Sequence, residues 1–119
     1  MDSPTKLYSS QIRDVQFGSG VTVVEPVNLY ECVIGEDCFI GHGVMFINDL
    51  YAGGGPAGGD KSLWCSTTIG NNVSIGSNAT ILPVKICDRA VIGAGAVVTK
   101  DITQPGFYIG NPARLLRKL

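Results

Sequence analysis

The sequence predicts an all-β chain folded as a parallel β-helix of about four triangular coils. Three regularities point to it. Large apolar residues recur at Phe17, Val23, Leu29, Ile34, Ile40 and Phe46, and again at Ile69, Ile75, Ile81, Ile86, Ile92 and Val98. A small or β-branched residue stands two positions before most of them: Val21, Val27, Cys32, Cys38 and Val44, then Val73, Ala79, Val84, Ala90 and Ala96. Glycine often follows directly, as at Gly18, Gly35, Gly41, Gly70, Gly76 and Gly93.

The step is six residues, or five from 29 to 34 and from 81 to 86. That period fits neither a helical stripe nor simple strand alternation. It fits a short strand followed by a corner. Positions two apart on a strand face the same way, so the large residue and the small one before it both point inward. Glycine tolerates the dihedrals that a corner requires. Three sides close one coil of about 18 residues, and stacked coils enclose a narrow apolar core. A β-sandwich would instead mark its turns every 8–12 residues.

The elements follow in order within one predicted domain, 1–119. Residues 1–16 are expected to cover one open end, since terminal repeats need caps. Sides run from 17 to 46. Residues 47–68, "INDLYAGGGPAGGDKSLWCSTT", leave the pattern and form one long protruding loop. An insertion of this length in a regular scaffold is usually functional or disordered, and Tyr51 and Trp64 offer anchors toward a neighbouring subunit. Sides resume at 69. Residues 107–119 cap the other end, with Pro112 placed to open a short helix or tail that packs Leu115, Leu116 and Leu119.

Charged residues make up 16% of the 119 and the net charge is −1. This apolar balance argues against disorder and for surface buried between subunits, and it predicts no nucleic-acid partner. The exception is local, at Arg114, Arg117 and Lys118. The N-terminus carries no apolar signal-peptide core, and no apolar run reaches the ~20 residues of a membrane span; a cytoplasmic, membrane-free protein is expected. Cys32, Cys38, Cys65 and Cys87 form no Cys-x-x-Cys pair, and a single histidine completes no usual zinc set, so no metal site is predicted. "GGPAGGDKS" misses the phosphate-loop pattern because Asp60 precedes the lysine. "IGAGAVV" lacks the third glycine of a dinucleotide fingerprint.

The repeated "IG" hexads, the loop after "GHGVMFIND" and the ending "IGAGAVVTKD…GNPARLLRK" resemble the hexapeptide-repeat acyltransferases over residues 17–119. The resemblance implies left-handed coils, a homotrimer and acetyl-CoA as acyl donor. "FIND" at 46–49 is most similar to bacterial enzymes that N-acetylate nucleotide-linked amino sugars for surface polysaccharides. It further implies that CoA lies in a groove between subunits, touched by Ser77, Ala94 and Thr99, with Lys100, Arg114 and Arg117 near its phosphates. Clustered Lys and Arg are the expected partners of such charges.

Many O-acetylating relatives carry a histidine in the loop where this chain has Asn48 and Asp49, whereas an asparagine matches Asn48 in the sugar N-acetyltransferases. The coils ahead of "GHGVMFIND" are also fewer here. An amine, once neutral, attacks a thioester without help, while an alcohol needs a base. Asn48 would orient the amine and Asp49 would accept a proton or hold the ammonium. His42 is the third catalytic candidate; two residues beyond the inward Ile40, it is expected to point outward or occupy a corner, away from Asn48 in the same chain. The alternatives are O-acetylation of a sugar or small alcohol, or a shortened, non-catalytic trimeric scaffold.

Overall fold

A computed structural model describes residues 10–50, 54 and 66–119. Each wall of the solenoid is a ladder of inward apolar residues. Strand β1 (Gln11–Phe17) pairs in parallel with β3 (Asn28–Ile34), and β3 with β6 (Thr67–Ile69), which pairs with β9 (Lys85–Ile86). Phe17, Ile34, Ile69 and Ile86 therefore stack, and Ile102 bridges to Ile86 at the far end. On the second wall, β2 (Thr22–Val23), β4 (Phe39–Ile40), β7 (Ser74–Ile75), β10 (Ala90–Ile92) and β12 (Gly106–Ile109) align Val23, Ile40, Ile75, Ile92 and Tyr108. The third wall uses the starts of β1 and β3, then β5 (Met45–Phe46), β8 (Thr80–Ile81) and β11 (Val97–Val98), which stack Ile12, Leu29, Phe46, Ile81 and Val98.

Every wall has five rungs, so the solenoid makes about five turns, one more than the repeat predicts. The extra rung comes from both ends. Residues 11–16, expected as part of a cap, are the first strand of the solenoid, and Ile12 extends the third wall. Ile102 and Tyr108 continue the first and second walls beyond Val98. Residues 1–9, the rest of that expected cap, lie outside the described residues.

The inward assignment holds in detail. Val27, Cys32, Cys38, Val44, Val73, Ala79, Val84, Ala90 and Ala96 are all buried beside the large ladder residues in one apolar core. Burial pushes the Cys32 thiol up to about 12 and raises that of Cys38. Burial also raises the thiol of Cys87, half-buried just after Ile86. Cys65 lies outside the described residues.

The three corners differ. The first, from first to second wall, takes six residues on every turn, as from Ile34 to Ile40 and from Ile69 to Ile75; the second also takes six, as from Ile75 to Ile81. The third corner takes five residues from Ile12 to Phe17, from Leu29 to Ile34 and from Ile81 to Ile86, but four from Val98 to Ile102. The insertion, between Phe46 and Ile69, sits at this same corner. Its far end comes earlier than position 68, because Thr67 already belongs to β6. Tyr51 and Trp64 lie outside the described residues.

The C-terminus corrects the expected helix. Arg114–Lys118 forms β13, antiparallel to β12 on the second wall. Pro112 could open a helix, but the chain turns at Gly110–Ala113 instead, with Gly110 at φ +93°. The open edge of β12 then captures the backbone groups that a helix would have satisfied internally. Arg117 lies over the Phe107 ring at 4.1 Å, fixing the hairpin face to face. The leucines expected to pack, Leu115, Leu116 and Leu119, remain exposed.

Candidate active site

The six-residue steps of the second corner stack equivalent residues of successive turns directly over one another. His42, Ser77 and Ala94 each stand two positions beyond an inward isoleucine of the second wall: Ile40, Ile75 and Ile92. They form a column along the coil axis. Backbone bonds hold it: the Asn78 amide donates to the His42 carbonyl at 2.9 Å, and the Gly95 amide to the Ser77 carbonyl at 2.9 Å. His42 occupies this corner and is exposed, as the repeat predicts. Its Nδ1 lies 3.2 Å from Ser77 Oγ on the next turn.

Two glycines make that contact possible. A side chain at Gly41 would reach within 3.1 Å of Ser77 Oγ and closer still to its amide. Gly43 sits at φ +77°, and a Cβ there would collide with the Asn78 side chain.

The column runs on to the C-terminal hairpin. The Val97 amide donates to the Gly110 carbonyl, and the Ala113 amide donates back to the Val97 carbonyl, so the turn crosses this corner above Ala94. Arg114 begins β13 there and is exposed. With adjacent strands ~4.8 Å apart, the line from His42 through Ser77, Ala94 and the end of β12 to Arg114 on β13 covers four rungs, ~19 Å. Arg117 lies three residues further along, on the outer face of the second wall.

A second set lies on the opposite edge of the third wall. Asn48 and Asp49, both half-buried, line a groove with Asn28, Tyr30 and Met45 where the insertion leaves the coil. Thr99 and Lys100 are exposed at the same corner, two turns further along the axis. His42 and Asn48 are six residues apart, at most ~20 Å, with the width of the third wall between them. Within one chain the column brings together His42, Ser77, Ala94 and Arg114, and the far edge holds Asn48, Asp49, Thr99 and Lys100.

Asn28 and Tyr30 were not among the residues singled out from the sequence. Asn28 lies one turn before Met45, with which it pairs, and that offset of 17 was the available signal. Its Oδ1 also accepts from the Gln11 amide at 3.2 Å.

A family model described as the hexapeptide repeat of succinyl-transferase matches residues 66–100. The galactoside O-acetyltransferase of Escherichia coli K12 is 53% identical over 53 residues, which are 44% of this chain and 26% of that protein. A chloramphenicol acetyltransferase of Agrobacterium fabrum is 37% identical over 112 residues, covering 72% of this chain and 51% of that one. The chain thus spans from about a quarter to about half the length of these curated relatives. Among solved structures, a hexapeptide-repeat-containing acetyltransferase of Vibrio cholerae superposes with a TM-score of 0.76 at 24% identity, over 88% of this chain and 62% of that one. That protein has also been solved with acetyl-CoA bound, and this second structure covers 92% of this chain and 68% of that one, with a TM-score of 0.59 at 22% identity. The coil shared with it, the repeat and these relatives lead to one assignment: the chain belongs to the hexapeptide-repeat acyltransferases, built as left-handed parallel β-helices.

Proposed function

We propose that the protein is an acetyl-CoA-dependent acyltransferase that N-acetylates an amino group on a nucleotide-linked amino sugar, for surface polysaccharide, in the cytoplasm. The observation that carries the acceptor is the groove at the third corner, where the Asn48 amide and the Asp49 carboxylate stand side by side. Asp49 draws in the ammonium form of the amine and takes one of its protons, and Asn48 accepts a hydrogen bond from the resulting neutral amine, aiming the nitrogen lone pair. The amine attacks the thioester carbonyl: a C–N bond forms, the C–S bond breaks, and the thiolate of CoA leaves with the proton the amine gives up. Backbone amides of the coil stabilise the oxyanion, and most of the acceleration comes from holding two substrates in line.

The donor lies along the column, its phosphates toward Arg114 and its pantetheine over Ala94 and Ser77. Asn48, Thr99 and Lys100 stand on the opposite edge of the third wall, so one chain presents two half-sites. A homotrimer that packs the third corner of one subunit against the second corner of the next joins them, putting Lys100 and Thr99 beside the donor and Asn48 beside the thioester. Closed cyclic symmetry completes three such sites.

A second reading, O-acetylation, is favoured by the histidine on the column and by the activity named for the E. coli relative. The test is release of CoA thiol by the full chain with paired amino-sugar and hydroxyl-sugar nucleotides. Turnover of the amine alone is expected; turnover of hydroxyl acceptors alone defeats the amine assignment. Binding of acetyl-CoA without turnover of any acceptor identifies a non-catalytic scaffold. Replacing Asn48 by Ala should lower kcat/KM by roughly 10²-fold, the scale of a lost positioning contact.

A further inference from the structure

We propose that Ser77 is a positioning residue that holds His42 in its Nδ1–H tautomer, so that the outward Nε2 takes the proton of the attacking acceptor. This deepens the acyl-transfer reading and rests on it for the identity of the donor.

Three observations converge. The first is the contact: Ser77 Oγ and His42 Nδ1 lie 3.2 Å apart, on consecutive turns. The second is that both backbones are pinned. The Gly43 amide donates to the Pro26 carbonyl at 2.7 Å, and the His42 and Ser77 carbonyls each accept from the turn above. The pair sits on a rigid rung rather than on a loop, which is what precise positioning requires. Gly41 keeps open the space that the serine hydroxyl occupies. The third is the place of His42 on the donor line. Arg114 is at one end, where phosphates belong, and His42 is at the other, four rungs away. A donor laid with its charges on the arginine delivers its thioester toward the imidazole.

The proton assignment follows from what each nitrogen can do. If Ser77 spent its hydroxyl proton on Nδ1, the ring would carry its own proton on Nε2 and could not act as a base there. If instead Nδ1–H donates to Ser77 Oγ, a lone pair remains on Nε2. Among the described residues Nε2 has no hydrogen-bond partner, and the side chain is exposed. A hydrogen bond at one ring nitrogen thereby sets the chemistry of the other. In the reaction the acceptor's N–H or O–H proton passes to Nε2 as the C–N or C–O bond forms. The imidazolium then returns it to the departing thiolate as the C–S bond breaks, and the ring ends neutral.

The chain has one histidine, so its imidazole can be read without assignment. In long-range 1H–15N spectra of labelled protein at alkaline pH, Nδ1 should be protonated and Nε2 bare. Ser77→Ala should move the ring toward Nε2–H, and Ser77→Thr should restore the original pattern. A wild-type ring protonated on Nε2, or a pattern indifferent to Ser77→Ala, overturns the proposal. In turnover, His42→Gln should lose on the order of 10²-fold in kcat, as for a general base. Ser77→Ala should lose a part of that, about tenfold in kcat, over and above any change in the KM for acetyl-CoA, and Ser77→Thr should restore it. A raised KM with unchanged kcat would make Ser77 a donor contact only and overturn the positioning role. Failure of acetyl-CoA to bind the wild type would defeat the acyltransferase reading instead, whatever tautomer the spectra report.

Discussion

Single residues carry the corners. At the first corner, Gly20, Asp37, Asn72 and Arg89 occupy equivalent positions, and all four have positive φ. Short polar residues and glycine adopt this conformation most readily, which explains the Asp and Asn here; Arg89 is held by its amide donating to the Asn71 carbonyl. At the second corner Gly43, Asn78 and Gly95 play the same part. Gly43→Ala should cost about 1–2 kcal/mol for the left-handed backbone alone, with a further loss from the collision with Asn78; a lowered midpoint in urea is the check. Cys32 yields a pH prediction. Below about pH 9 its thiol is protonated in both folded and unfolded chains. Above that, only the unfolded chain ionises until the folded value of about 12 is reached, so stability falls as pH rises through this window. Replacement by alanine should flatten that fall relative to wild type in parallel denaturation series. In the folded protein near pH 8, peptide mapping should find Cys32 and Cys38 unalkylated.

At the scale of elements, irregularity is confined to one corner. The five-residue steps, the four-residue step and the long insertion all lie between the third wall and the first. The first corner is bound by a ladder of side chain to backbone: the Asn71 side chain accepts from the Glu36 amide at 2.8 Å, and that of Asp88 from the Asn71 amide at 2.8 Å. Two residues inserted after Asn72 would break this ladder, with a loss of roughly 2 kcal/mol at about 1 kcal/mol per bond. The same insertion after Pro83, at the permissive corner, should cost less than half as much, and calorimetry on the two variants compares them directly. The sequence already showed the two five-residue steps; what it hid was that they share a corner with the insertion. It hid Ile12 as a ladder residue, since the residue two before it is the polar Ser10 and no glycine follows. It misled at Pro112, where the rule for helix starts is sound but a free strand edge competed for the same backbone.

For the whole molecule, stability is a stack of nearest-neighbour contacts. Ile40 and Ile75 in the middle are fully buried, whereas Ile12 and Phe17 on the first described turn are 44% and 42% exposed, with no further turn over them among the described residues. Ile75→Ala should therefore cost about 2–5 kcal/mol, and Ile12→Ala well under half of that. Hydrogen exchange should show β1 opening before β7. The core was legible throughout because three inward ladders print their residue types at a fixed period. The candidate site was legible only in part. Ser77 and His42 fall in the same register, each two beyond an inward isoleucine, but the turn that joins them takes 35 residues because it contains the insertion, and the repeat does not say how that insertion returns to the coil.

Outside the insertion, turns of 17 residues make the molecule an addressed lattice. Away from the insertion, adding 17 to most positions names the neighbour one storey up, as from Ser77 to Ala94 or from Val23 to Ile40. Anyone wishing to extend the imidazole–hydroxyl file, or to lay a row of identical groups along one edge, can write the design from the numbering alone, with Glu25 and Ala94 as the first vacant addresses on either side.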